Sequence, residues 1–61
     1  MSKKPTFLQR CKAAAESNAD MADLLERRLA LVRLSRDVDG LSRSIQMIEA
    51  RMREELELMA P

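Results

Sequence analysis

Between Leu24 and Met59, bulky apolar residues recur with alternating steps of three and four: Leu24, Leu31, Leu34, Val38, Leu41, Ile45, Ile48, Met52 and Met59. Two positions of the same series are charged, Arg27 and Glu55. This is a heptad seam, the pattern of a helix that buries one narrow stripe against another helix. The chain is therefore expected to be all-α: a short N-terminal helix followed by a long heptad-patterned helix, or by a hairpin if the chain turns at Asp37–Gly40.

Sixty-one residues make at most one domain. A chain this short buries only about 60% of the surface its unfolded form exposes, so a lone core is marginal. Small chains usually add disulfides, a metal or a partner. Cys11 is the single cysteine and there is no histidine, so neither an internal disulfide nor a zinc site is expected. No cofactor is expected. Self-association is the remaining way to gain buried surface. Aromatics make up 2% of the chain, which leaves a β-sheet little to rest on.

Residues 1–5 read as a disordered basic leader and residues 6–61 as one helical domain. Thr6 and Gln9 have the form of a capping box, opening a helix over about 6–17. Ser17 and Asp20 repeat that spacing and open a second helix over about 19–59, broken or unbroken at 37–40. Asp37, Val38, Asp39 and Gly40 are all poor helix residues. Yet the three-four spacing passes through Gly40 without losing phase, and Asp39 and Arg43 are placed for an i,i+4 pair across it. The unbroken rod is the preferred reading. Leu25, Leu29 and Val32 form a second stripe, the expected seat of the first helix. Glu49–Arg53, Arg51–Glu55 and Arg53–Glu57 are spaced as outer ion pairs.

The charged seam positions give the assembly a direction. In a parallel dimer, Arg27 and Glu55 would each meet their own copy in a buried layer, which is costly. An antiparallel pairing centred near residues 38–41 brings Arg27 towards Glu55 instead. The same pairing arises within one chain that turns at Asp37–Gly40, so the closed hairpin and the exchanged dimer share their contacts. The expected assembly is an antiparallel dimeric helical bundle or coiled coil. Its self-association residues are Leu24, Arg27, Leu31, Leu34, Val38, Leu41, Ile45, Ile48, Met52, Glu55 and Met59.

Nothing in the chain assembles a catalytic set. Cys11 lacks the base that a nucleophilic cysteine needs, and reads as a small buried hydrophobe on the first helix. Glu54, Glu55 and Glu57 read as a solvated acidic turn. The chain is not expected to be an enzyme. Met21 reads as a boundary residue. Met47 lies outside the seam, beside Arg43, Ala50 and Arg51; a single exposed methionine there is ordinary, and the alternative is an adaptable binding surface. These four, with Phe7 and Leu58 at the bundle end, are the candidate partner-binding residues.

The net charge is +1, so no strong field draws the chain to nucleic acid or a membrane surface. A basic N-terminal part exists in Lys3, Lys4, Arg10 and Lys12. Among the arginines of the second helix, however, Asp23, Glu26, Asp37 and Asp39 are interleaved. Phosphate binding that releases counterions needs a denser patch. No apolar run is long enough to span a membrane, and Met-Ser-Lys-Lys does not lead into a secretory signal. A lone free cysteine fits a reducing compartment, so a cytoplasmic location is expected.

The size and hairpin-like layout resemble the general class of small dimeric helical-bundle regulators, some of them encoded by plasmids or phages. The likeness is at the level of fold, with no motif behind it. The expected function is that of a self-associating helical protein that binds another protein, as an adaptor, assembly factor or inhibitor. A DNA- or RNA-associated regulator using the basic N-terminal part is the alternative.

Overall fold

The computed structural model describes residues 4–59 and consists of three helices: α1 (Phe7–Ala15), α2 (Ala19–Leu34) and α3 (Ser42–Met59). The basic leader lies largely outside the described residues, as do Lys3 and the final Ala60-Pro61.

The capping box at Thr6 is complete. The Gln9 amide donates to Thr6 Oγ1 at 3.1 Å, and the Thr6 amide donates to Gln9 Oε1 at 2.8 Å. Two of the orphan amides of the helix start are thereby satisfied. The start of α2 differs from expectation by one residue. Asn18, not Ser17, is the cap: its Oδ1 accepts from the Met21 amide at 3.1 Å, from an extended backbone. Asn18 is among the strongest N-cap residues and reaches the amide three positions on. Ser17 instead donates from Oγ to the Ala14 carbonyl, closing α1.

The chain does not run straight through the Asp37–Gly40 segment. α2 ends at Leu34, and a loose turn follows in which the Asp37 and Val38 amides both donate to the Leu34 carbonyl at 3.0 Å. Gly40 has φ +89°, the left-handed region that glycine enters freely. An unbroken seam phase thus does not carry the helix across four weak helix formers. The turn satisfies the same stripe from both sides, and the rod gives way to a hairpin.

α2 and α3 are antiparallel. Arg28 pairs with Glu49, while Asn18, ten residues earlier, reaches Glu55 and Met59. The core sits at the end away from the turn: Cys11, Met21, Leu24 and Met52 are buried. Phe7, Leu8, Ala14, Ala15, Leu25, Ile48 and Leu56 pack against them. The expected burial of Cys11 holds. Met21 is not a boundary residue; it is fully enclosed.

α1 covers only part of the hairpin. Nine residues of helix span roughly 13 Å, whereas the sixteen of α2 span roughly 24 Å. Of the second stripe, Leu25 joins the core, Val32 is half-buried and Leu29 stays exposed. Near the turn the molecule is therefore only two helices thick. Leu34 and Val38 are close to half exposed there, although both belong to the seam.

Candidate interaction groove

The stripes of α2 and α3 that turn away from α1 border a groove of about 520 Å³. Its lining is Leu24, Arg27 and Leu31 from α2, with Ser44, Met47, Ile48 and Arg51 from α3. The apolar members come from two sources. Leu24, Leu31 and Ile48 are seam residues bordering the groove, because α1 packs on the opposite side. Met47 lies outside the seam and is the most exposed of the group's apolar side chains, at 64%.

Arg27 and Arg51 stand at one end of this groove and also border a smaller hollow with Asp20, Asp23 and Glu55. The molecule therefore offers an apolar channel, then two guanidinium groups, then a carboxylate cluster. Among the described residues Arg27 enters no ion pair, and Arg51 reaches Glu54 only at 3.9 Å, with both side chains more than two-thirds exposed. Such a contact contributes little, about 0–1 kcal/mol at most.

The charge that selects the antiparallel direction sits elsewhere than expected. Arg27 and Glu55 share the hollow without forming an ion pair. Glu55 Oε1 accepts from Asn18 Nδ2 at 3.1 Å instead. The cross-helix ion pair is Arg28–Glu49, with Nε to Oε2 at 2.9 Å. Glu49 is thereby taken from the expected i,i+4 partner Arg53, whose guanidinium lies 5.5 Å from the centroid of the Phe7 ring. The expected Arg51–Glu55, Arg53–Glu57 and Asp39–Arg43 pairs are not formed among the described residues.

No family model, curated protein or solved structure matches the chain. What it does must be read from its own residues.

The seam residues fall into three groups. Leu24 and Met52 are buried; Leu31, Leu41, Ile45, Ile48 and Glu55 are half-buried; Arg27, Leu34, Val38 and Met59 are exposed. Of the candidate partner-binding residues, Met47 and Arg51 line the groove. Leu58 is 79% exposed, the most open large apolar side chain among the described residues. Arg43 and Ala50 are exposed but do not line the groove. Phe7 does not present a free ring: it packs on the core beneath Arg53. Lys4, Arg10 and Lys12 are exposed, and Lys12 borders a recess with Leu8, Leu25, Glu26, Arg28 and Leu29.

Cys11 is buried, and desolvation pushes its thiol above the ordinary range, with Arg10 and Arg28 pulling weakly the other way. A thiol held protonated in an apolar core is inert. Among the described residues no group of three or more acidic, cysteine or histidine side chains is placed to hold a metal, and no helix is long and apolar enough to cross a membrane.

Proposed function

We propose that this chain is a non-enzymatic helical module that self-associates and acts by binding another protein, as an adaptor, assembly factor or inhibitor. The observation that carries this reading is the uncovered seam. Leu31, Leu34, Val38 and Ile48 have the composition and spacing of a buried stripe, yet three of the four lie in or near the two-helix-thick end, and Leu34 and Val38 are nearly half exposed. Apolar surface laid out in this way is the usual mark of a protein-binding site. Met47 beside it supplies a flexible, polarizable side chain suited to an irregular partner surface.

The seam contacts of an exchanged antiparallel dimer are, in the closed hairpin, made inside one chain. The hairpin is then the unit that associates, and two copies meet through surface that the hairpin leaves open. Nucleic acid is the less favoured ligand, since Asp23, Glu26, Asp37 and Asp39 break up the arginines of α2 and the turn. A cytoplasmic setting, with a plasmid or phage origin, fits the resemblance to small helical regulators.

Light scattering on the full chain tests self-association: the expected mass is twice 7.0 kDa at high concentration. Affinity capture from the native host tests the partner surface. Capture that is unchanged by Leu34→Ala together with Val38→Ala would show that the surface is wrongly chosen.

A further inference from the structure

The outer side of α3 carries a second heptad stripe that the hairpin does not use. Ser44, Met47, Arg51, Glu54 and Leu58 follow one another with steps of three, four, three and four. All five are exposed, and the two apolar members, Met47 at 64% and Leu58 at 79%, are the most exposed large hydrophobics among the described residues. The spacing is that of a coiled-coil seam, with Ser44, Arg51 and Leu58 in one register position and Met47 and Glu54 in the other. On the opposite flank of α3, Arg43, Gln46, Ala50, Arg53 and Glu57 offer no such apolar pair.

We propose that this stripe is the face through which two copies of the chain associate, α3 against α3 in antiparallel orientation about a two-fold axis between residues 52 and 53. The inference rests on the self-association reading above and assigns it a face. In an antiparallel seam the two register positions meet each other. Arg51 then faces Glu54 of the second copy, Met47 faces its Leu58, and the two-fold axis repeats both contacts. A single patch is thus complementary to itself in charge and in apolar pairing, as a two-fold interface requires. A parallel pairing would instead set Arg51 against Arg51 and Glu54 against Glu54.

The groove supports the same occupant. Met47 and Arg51 line it, so Leu58 of the second copy, seated beside Met47, meets the apolar edge formed with Leu31 and Ile48. Glu54 of the second copy, opposite Arg51, approaches the side of the groove where Arg27 lacks an ion-pair partner among the described residues. Within one chain the Arg51–Glu54 contact is long, at 3.9 Å, and open to water. Across the interface each group gains a partner with more of its water excluded. The seam spans little more than two heptads, so association is expected to depend on concentration.

Charge reversal with mixing tests the proposal. Arg51→Glu makes both central positions acidic, and Glu54→Arg makes both basic. Each variant alone is expected to associate about tenfold to a hundredfold more weakly than the unchanged chain, from two mismatched charge layers per dimer. An equimolar mixture restores opposite charges in both layers and is expected to recover the dimer, as is the double variant R51E/E54R. Sedimentation over about 10 µM to 1 mM reads all five samples, a range that brackets weak association. Circular dichroism on each single variant separates lost association from lost folding.

If the unchanged chain and every variant are equally dimeric, self-association stands but this face is wrong. If the single variants dissociate while folded and mixing does not restore the dimer, the charge register is wrong and the proposal falls. A chain that stays at 7.0 kDa throughout overturns both this inference and the self-association reading.

Discussion

Arg28 and Glu49 join α2 to α3 through a 2.9 Å contact between Nε and Oε2, with less than a third of either side chain exposed. Both residues occupy the same heptad position, the one following the charged or apolar seam residue Arg27 or Ile48. In antiparallel helices these flanking positions meet each other, so the pair fixes the direction of the hairpin as well as its register. Partial burial and hydrogen-bonded geometry place its worth near the upper end for surface pairs, about 1 kcal/mol. A double-mutant cycle with Arg28→Ala and Glu49→Ala is expected to give a coupling of that size by urea unfolding. In a chain of this length, each single variant then lowers the melting midpoint by about 4–8 °C. No coupling would mean that the pair is held by the fold and does not help to hold it.

Asn18 serves two ends of the molecule at once. Its Oδ1 caps α2 through the Met21 amide, and its Nδ2 donates to Glu55 near the end of α3. Asn18→Ala removes both and is expected to cost about 1–2 kcal/mol. Asn18→Asp keeps the cap but sets a carboxylate against Glu55. It should therefore be less stable than the unchanged chain near neutral pH and recover part of the difference in added salt, which screens like charges. Thermal melts of the three chains at low and high salt check this ordering. Equal stability of the Asp and Asn chains at neutral pH would remove the cross-helix role of Nδ2.

Gly40 is the one described residue with positive φ, and a Cβ built on it meets nothing within 4 Å. Gly40→Ala therefore brings no clash, only the backbone strain of a left-handed alanine, about 1–2 kcal/mol. The same substitution improves the straight helix by about 1 kcal/mol. Both effects act against the closed turn and towards a continuous helix from α2 into α3. The expected outcome is a lower urea midpoint together with an exchanged, elongated dimer at high concentration. Gly40→Asn, which tolerates positive φ better, should lose less. An alanine variant as stable as the unchanged chain would mean that the turn does not hold the geometry described.

These residues show what the sequence makes legible. The all-α class, the Thr6–Gln9 cap and the burial of Cys11 follow from spacing within one helix, where neighbours along the chain decide the outcome. The break at Asp37–Gly40 does not, because it sets about 0.5–1 kcal/mol of helix cost per weak residue against packing that straight and turned chains provide equally. The Arg28–Glu49 pair becomes readable only after the hairpin is accepted, since the two are 21 residues apart. Met21 lies outside the seam that begins at Leu24, yet it is buried. One turn earlier lies the part of α2 that α1 covers, and there burial extends beyond the seam. The groove is not legible in the sequence because it depends on where α1 is absent, and a nine-residue helix falls short of the hairpin end only from a particular seat.

Burial of Cys11 carries a pH dependence. Desolvation raises its thiol above the ordinary value of 9.0, so the folded chain holds the proton more tightly than the unfolded chain does. A group raised on folding contributes stability that is complete below its unfolded value and is lost as pH rises through the folded one. Cys11 therefore keeps its full contribution at neutral pH and loses it at alkaline pH, above about 9. Cys11→Ala should be less stable than the unchanged chain at pH 7, through lost packing, by about 1–2 kcal/mol. That gap should narrow in the alkaline range, because alanine has no proton to lose. Urea midpoints of both chains across the alkaline range give the comparison, with thiol labelling of the folded protein as a second reading, expected to be slow and limited by opening. Rapid labelling at pH 7 without unfolding, or a gap that stays constant to high pH, would mean that the thiol is reached by water and does not belong to the core.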